Sequence, residues 1–197
     1  MPKLLQGDVR QKILSAAQDR LWHYGFKKTT IDEIATDAGV GKGTVYLYFD
    51  SKEDIALTIM AAFKEEVLEL QEAVVRDHTL GTVDKLRELL YLPIMRSHEA
   101  ILQHPAAVEM VCAVRPHILA RMRPYIEHEA ALVGQVLEEG NRAGIFDVSD
   151  TMATARTLRY MTSGFWPPYP CVTEPASRRE EVRRIVDLAV RGLHKCG

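Results

Sequence analysis

Between Thr29 and Asp54 the chain reads TTIDEIATDAGVGKGTVYLYFDSKED, a run dense in hydroxyls and glycines. Thr30 stands three residues before Glu33, the reciprocal spacing of a capping box. Ile31, Ile34, Ala35 and Ala38 follow at i, i+3, i+4 and i+7, one apolar face of a two-turn helix. Gly39 sits where a helix needs a left-handed closing residue, and Val40 follows as the apolar plug of the turn. A second helix, about Lys42 to Tyr48, has only Val45 and Phe49 as clear inward anchors. Its other side offers Lys42, Gly43, Thr44, Tyr46 and Tyr48, which core packing explains poorly. A short helix with small and hydroxyl-bearing residues outward suits a DNA major groove. The pattern is a helix-turn-helix.

The elements that must hold this pair are also legible. A first helix is expected from about Asp8 to Tyr24, with Ile13, Ala17, Leu21 and Tyr24 inward and Gly25 ending it. Ser51 and Asp54 make another capping-type start. Helical periodicity then continues through Ile55, Ile59, Phe63, Val67 and Leu70 to about Val75. A helix of that length is on the order of 35 Å long and can act as a lever as well as a strut.

The block resembles the DNA-binding domain of TetR/AcrR-type one-component transcriptional regulators. Ile34-Ala35, Gly39-Val40, Lys42-Gly43-Thr44-Val45-Tyr46, Tyr48-Phe49 and Ser51-Lys52-Glu53 follow that family's pattern in order and spacing. Gly41 departs from it, standing where the family more often has serine; glycine caps slightly less well. The resemblance implies that Thr29, Thr30, Tyr46, Tyr48 and Lys52 hold phosphates while Lys42, Gly43 and Thr44 face base edges. Phosphate contacts position such a protein and base-edge contacts specify sequence.

Charge distribution agrees. Over the whole 197 residues the net charge is −2. Residues 1–52 carry eight Lys/Arg against six Asp/Glu, a local +2; the rest carries 17 against 21, or −4. A small domain that grips phosphates and a body that does not would show this asymmetry. Hydrophobic residues at 47% and charged residues at 26% are an ordinary globular balance. No apolar run approaches a membrane span and no signal-peptide layout opens the chain, so a cytoplasmic protein with reduced thiols is expected.

Other chemistry is thin. The three cysteines, Cys112, Cys171 and Cys196, are widely separated and indicate neither a disulfide framework nor a metal knuckle. The seven histidines never fall at H-x-x-x-H or H-E-x-x-H spacing, and no G-x-S-x-G, P-loop or G-x-G-x-x-G is present. No catalytic residue, metal or cofactor is expected, and the chain is read as a non-enzyme.

Beyond Gly81, prolines punctuate helical patterns: Pro93 inside or between helices, Pro105 and Pro116 near helix starts, Pro124 as a kink or break. The run from Trp166 to Pro170 is read as a loop. An all-α fold of about nine helices follows, with a helix-turn-helix domain over 1–52 and a helical regulatory body over 53–197. The resemblance implies a ligand-responsive regulator, most often a repressor, that binds a palindromic double-stranded operator as a homodimer. Val182, Ile185, Val186, Ala189, Val190 and Leu193 form an apolar stripe expected, with Leu158 on the preceding helix, at the dimer interface. Phe63, Met95, Met110, Tyr160, Met161 and Trp166 are expected to line an apolar effector pocket, with Arg115 available to a negative group. The alternative is a DNA-binding protein controlled by a protein partner, or an architectural one without a small ligand. A cavity-free second domain would favour it.

Overall fold

The computed structural model of the chain describes residues 3–162, 165 and 175–194. Among these it contains eight helices and no named strand: α1 (Lys3–Tyr24), α2 (Ile31–Asp37), α3 (Lys42–Tyr46), α4 (Lys52–Arg76), α5 (Thr82–Gln103), α6 (Ala107–Arg142), α7 (Thr151–Thr162) and α8 (Pro175–Arg191). The fold is all-α, with eight helices among the described residues where the sequence suggests about nine. The difference lies largely in α6, which runs on through Pro116 and Pro124. Each proline removes one backbone donor. Both lie exposed, as do Cys112 and Ala120 four residues before them, so water can solvate the carbonyls left without a helical donor. The expected break at Pro124 is therefore absent.

The chain divides into two compact units. One comprises residues 1–63 with 100–122; the other comprises 64–99 with 123–197. The first unit holds the helix-turn-helix expected over 1–52 together with the first turns of α4 and part of α6.

In the first unit Ile13, Ala17, Leu21, Ile34, Val45, Phe49 and Ile55 are buried in one cluster. Gly25, at φ +83°, ends α1 and turns Phe26 into that cluster. The Glu109 carboxylate lies against Gly25 in the space a Cβ would take, and its Oε1 accepts from the Lys27 N–H at 3.3 Å.

In the second unit the core is built from α4 to α8, with Leu86, Leu89, Ile94, Val133, Leu137, Ala155 and Val186 among its buried members. Leu70, inward by periodicity, is exposed, while the neighbouring Gln71 is buried. Pro93 accounts for the exchange. It has no N–H to give the Leu89 carbonyl four residues back, and Gln71 Nε2 donates to that oxygen at 2.9 Å.

A buried charge cluster also joins three helices of this unit. Glu129 accepts from Lys64 Nζ at 2.9 Å and from Arg159 Nε at 2.7 Å. Burial pushes Lys64 down to about 8 from its ordinary 10.5, although Glu129 opposes the shift. The folded chain therefore binds fewer protons than the unfolded chain between about pH 8 and 10.5, and stability rises with pH across that window. The expected gain from Lys64 is on the order of 1–2 kcal/mol between about pH 7.5 and 9.5. Urea midpoints for the wild type and Lys64→Met should show this rise in the former only.

Candidate nucleic-acid interface

The turn between α2 and α3 closes as the sequence dictates. The Val40 N–H reaches the Ala35 carbonyl at 2.9 Å and the Gly39 N–H reaches Thr36 at 3.1 Å, with Gly39 at φ +67°. These paired bonds are a Schellman closure, which glycine permits without strain. At the other end of α2 the Thr30 hydroxyl accepts from the Glu33 N–H at 3.3 Å, and Glu33 Oε2 accepts from the Thr30 N–H at 2.9 Å. Donation by Thr30 lowers the Glu33 pKa, and nearby Arg20 lowers it further. Arg20 also pairs with Asp37, so α1 holds both ends of α2.

This frame fixes α3. Val45 and Phe49 are buried, while Lys42, Gly43, Tyr46 and Leu47 face out. No atom lies within 4 Å of the Cβ position at Gly43, so the backbone there is bare. Tyr46 is half exposed, and Thr44 and Tyr48 are partly covered. Lys42 Nζ bonds Asp32 at 2.8 Å, and Asp32 raises its pKa. Both partners are largely in solvent, so the pair is weak and exchangeable.

Two residues expected at phosphates are committed inward. Thr29 is fully buried, and its hydroxyl donates to the Gly25 carbonyl at 2.8 Å. It has no surface for DNA. Lys52 Nζ donates to Phe26 O at 2.6 Å and Thr29 O at 2.8 Å, and lies 4.1 Å from the Phe26 ring centroid. It ties the loop before α2 to the start of α4. Lys52→Ala should therefore cost roughly 2 kcal/mol of stability through loss of charge-assisted bonds. Its DNA affinity should fall with little change in salt slope; a slope reduced by one counterion would return Lys52 to the phosphates. Sequence reasoning missed Leu47, 81% exposed directly after α3. Its signal was available, since it is out of phase with Val45 and Phe49. Lys27 and Lys28, also exposed, precede α2.

The residues expected to line an effector pocket are shared between the two units. Met110 packs in the helix-turn-helix cluster, whereas Met95 is buried in the other unit. Phe63 is half-buried, Arg115 is exposed, and Tyr160 and Met161 are 80% and 40% exposed. Trp166 and the loop read there lie outside the described residues. A cavity does exist within the second unit, between the apolar walls of Leu89, Pro93, Ile94 and Val133. It encloses about 20 Å³, enough for one water.

The dimer residues likewise divide. Leu158, Val182, Val186 and Val190 are buried in the chain's own core and have little surface for a partner. Alternating with them on α8, Ile185 and Ala189 are partly covered and Leu188 is exposed, and Leu193, two residues past the helix, is partly covered. Among the described residues no helix is long and apolar enough to cross a membrane, and no metal-ligating cluster forms.

Two family models match. "Bacterial regulatory proteins, tetR family" covers residues 13–59, and "Tetracyclin repressor-like, C-terminal domain" covers 82–186. The HTH-type transcriptional regulator YhgD of Bacillus subtilis is 38% identical over 69 residues, 33% of this chain and 36% of that one. The repressor KstR2 of Rhodococcus jostii is 25% identical over 185 residues, 90% of this chain and 89% of its own. Matches to bacterial proteins at 32–38% identity span only 27–43% of those proteins' length. The regulator FadR of B. subtilis, solved with stearoyl-CoA, shares the fold at a TM-score of 0.67 and 19% identity, over 93% of this chain and 99% of that one.

Proposed function

The chain belongs to the TetR family of bacterial transcriptional regulators, and on that premise we propose that it is a dimeric repressor released from a palindromic operator by a small, mainly apolar effector. The observation that carries the reading is α3, whose bare Gly43 and outward Lys42, Tyr46 and Leu47 stand on a frame locked by Arg20 and the Schellman turn. Lys42, Gly43 and Thr44 meet base edges, and Leu47 offers an apolar contact to a thymine methyl. Thr30, Tyr46 and Tyr48, with Lys27 and Lys28, meet phosphates. The protein itself is placed in the cytoplasm, where its DNA is.

One helix-turn-helix reads too few bases for useful specificity, so two copies are required. The exposed Tyr160, Met161 and Leu188 on α7 and α8, flanked by Ile185, supply the apolar surface for that contact. Leu188→Glu should shift the mass in sedimentation from two chains to one and weaken operator binding by at least about tenfold, since a charge would have to be buried. A dimer that survives the substitution at micromolar protein would move the interface elsewhere.

Similarity to fatty-acid regulation in B. subtilis supports effector control: a matching protein there is named a fatty acid metabolism regulator, and FadR from that organism was solved with stearoyl-CoA. In this chain the enclosed cavity is far below the roughly 300–1,000 Å³ of a drug-sized site, so an effector must bind an opened form in preference to the closed one. An effector should then lower operator affinity by roughly 5–150-fold, and operator should weaken effector binding equally. The small cavity also favours a second reading, control by a protein partner. Footprinting on the DNA flanking its own gene, followed by an effector screen on that site, separates them. Release by a small molecule supports the first reading, and release only by a protein fraction supports the second.

A further inference from the structure

The interior cavity of the second unit has one polar feature that its surroundings leave unsatisfied. Gln71, on α4, lines the cavity and is 1% exposed. Its amide orientation is fixed, because Nε2 fills the carbonyl of Leu89 that Pro93 cannot serve. Oε1 is consequently the atom left over, and it has no hydrogen-bond partner among the described residues. The neighbouring polar groups do not meet it. The Thr162 hydroxyl donates to the Arg159 carbonyl at 3.0 Å, and Arg159 Nε donates to Glu129 at 2.7 Å. Around this acceptor the walls are aliphatic: Leu89, Pro93, Ile94 and Val133. A buried acceptor left without a donor is costly, so whatever enters is selected for its ability to donate.

We propose that this cavity is the polar end of the effector site, and that Gln71 Oε1 selects a small, largely apolar molecule bearing one O–H or N–H donor, such as a phenol, alcohol or amide. The proposal rests on the ligand-responsive reading above. A charged ligand is disfavoured, because the charges that line the cavity, Glu129 and Arg159, are already paired with each other and with Lys64. The apolar body of the ligand occupies the space opened when the walls part. Gln71 is thereby a specificity-determining residue.

The test uses the full chain and two probes of nearly equal shape, phenol and toluene, measured by titration calorimetry. Val133→Ala enlarges the cavity by two methyl groups without touching Gln71, and the pair is repeated on Val133→Ala with Gln71→Leu. The preference for phenol over toluene should fall about tenfold when the acceptor is removed, the effect of one hydrogen bond on binding. Thermal melts of both variants establish that each is folded. Should Gln71→Leu fail to fold, Gln71→Met takes its place. Its unbranched side chain keeps the length of glutamine but lacks the carbonyl acceptor, so the phenol preference should fall there as well. An unchanged ratio, or no binding of either probe to Val133→Ala, overturns the proposal and leaves a cavity for water alone. The regulatory reading fails separately. Phenol that binds in a Gln71-dependent way but leaves operator affinity unchanged keeps the selective cavity and removes its effector role.

Discussion

Gly43→Leu should leave the fold intact and abolish operator binding. The position lies within α3, and nothing stands within 4 Å of the added Cβ. Leucine is the better helix former by roughly 0.5–1 kcal/mol, so the melting temperature should hold or rise. On DNA the same side chain would stand between the α3 backbone and the base edges. Operator affinity should drop at least about 100-fold, which is roughly 2.7 kcal/mol. The separation of the two readouts is the point of the experiment. A variant that is more stable yet cannot bind isolates close backbone approach as the function of this glycine. Normal binding would place the groove contact on another face of the domain.

Glu129→Ala should remove a large part of the stability of the second unit. Glu129 is 3% exposed and balances two cations, Lys64 on α4 and Arg159 on α7. Its loss leaves like charges facing each other in a poorly solvated site, at a cost of about 3–5 kcal/mol. That is a large part of the 5–15 kcal/mol typical of a whole domain. Lys64, already pushed down to about 8 by burial, can escape by losing its proton. The deficit of Glu129→Ala should therefore shrink as pH rises toward 9, and a denaturant series at three pH values would show it. A loss under 1 kcal/mol would mean that water reaches the cluster.

What the sequence revealed and what it hid divide by range. The Thr30–Glu33 box, the Gly39 turn and the Val45/Phe49 anchors are local, set by residues three to five apart, and each appears where the sequence puts it. The inward contacts of Thr29 and Lys52 were hidden for a physical reason. A hydroxyl and an ammonium serve a phosphate or a backbone carbonyl equally well, and only the fold shows which acceptor is near. Gln71 was invisible because its partner is a carbonyl made available by a proline 22 positions away. The Lys64–Glu129–Arg159 cluster brings together residues 65 and 30 positions apart, with no spacing rule to expose it. In α8, apolar periodicity identified a buried face without distinguishing the chain's own core from a partner's, and Val182, Val186 and Val190 went to the former.

Footprinting of the purified chain on the DNA flanking its own gene shows whether α3 reads DNA. A protected palindrome is expected at physiological salt, its half-sites centred one helical turn of about 10 base pairs, or a multiple of it, apart. Protection should be lost with Gly43→Leu. Absence of any protected site, or an identical footprint from Gly43→Leu, would contradict the assignment of α3 as the DNA-reading helix.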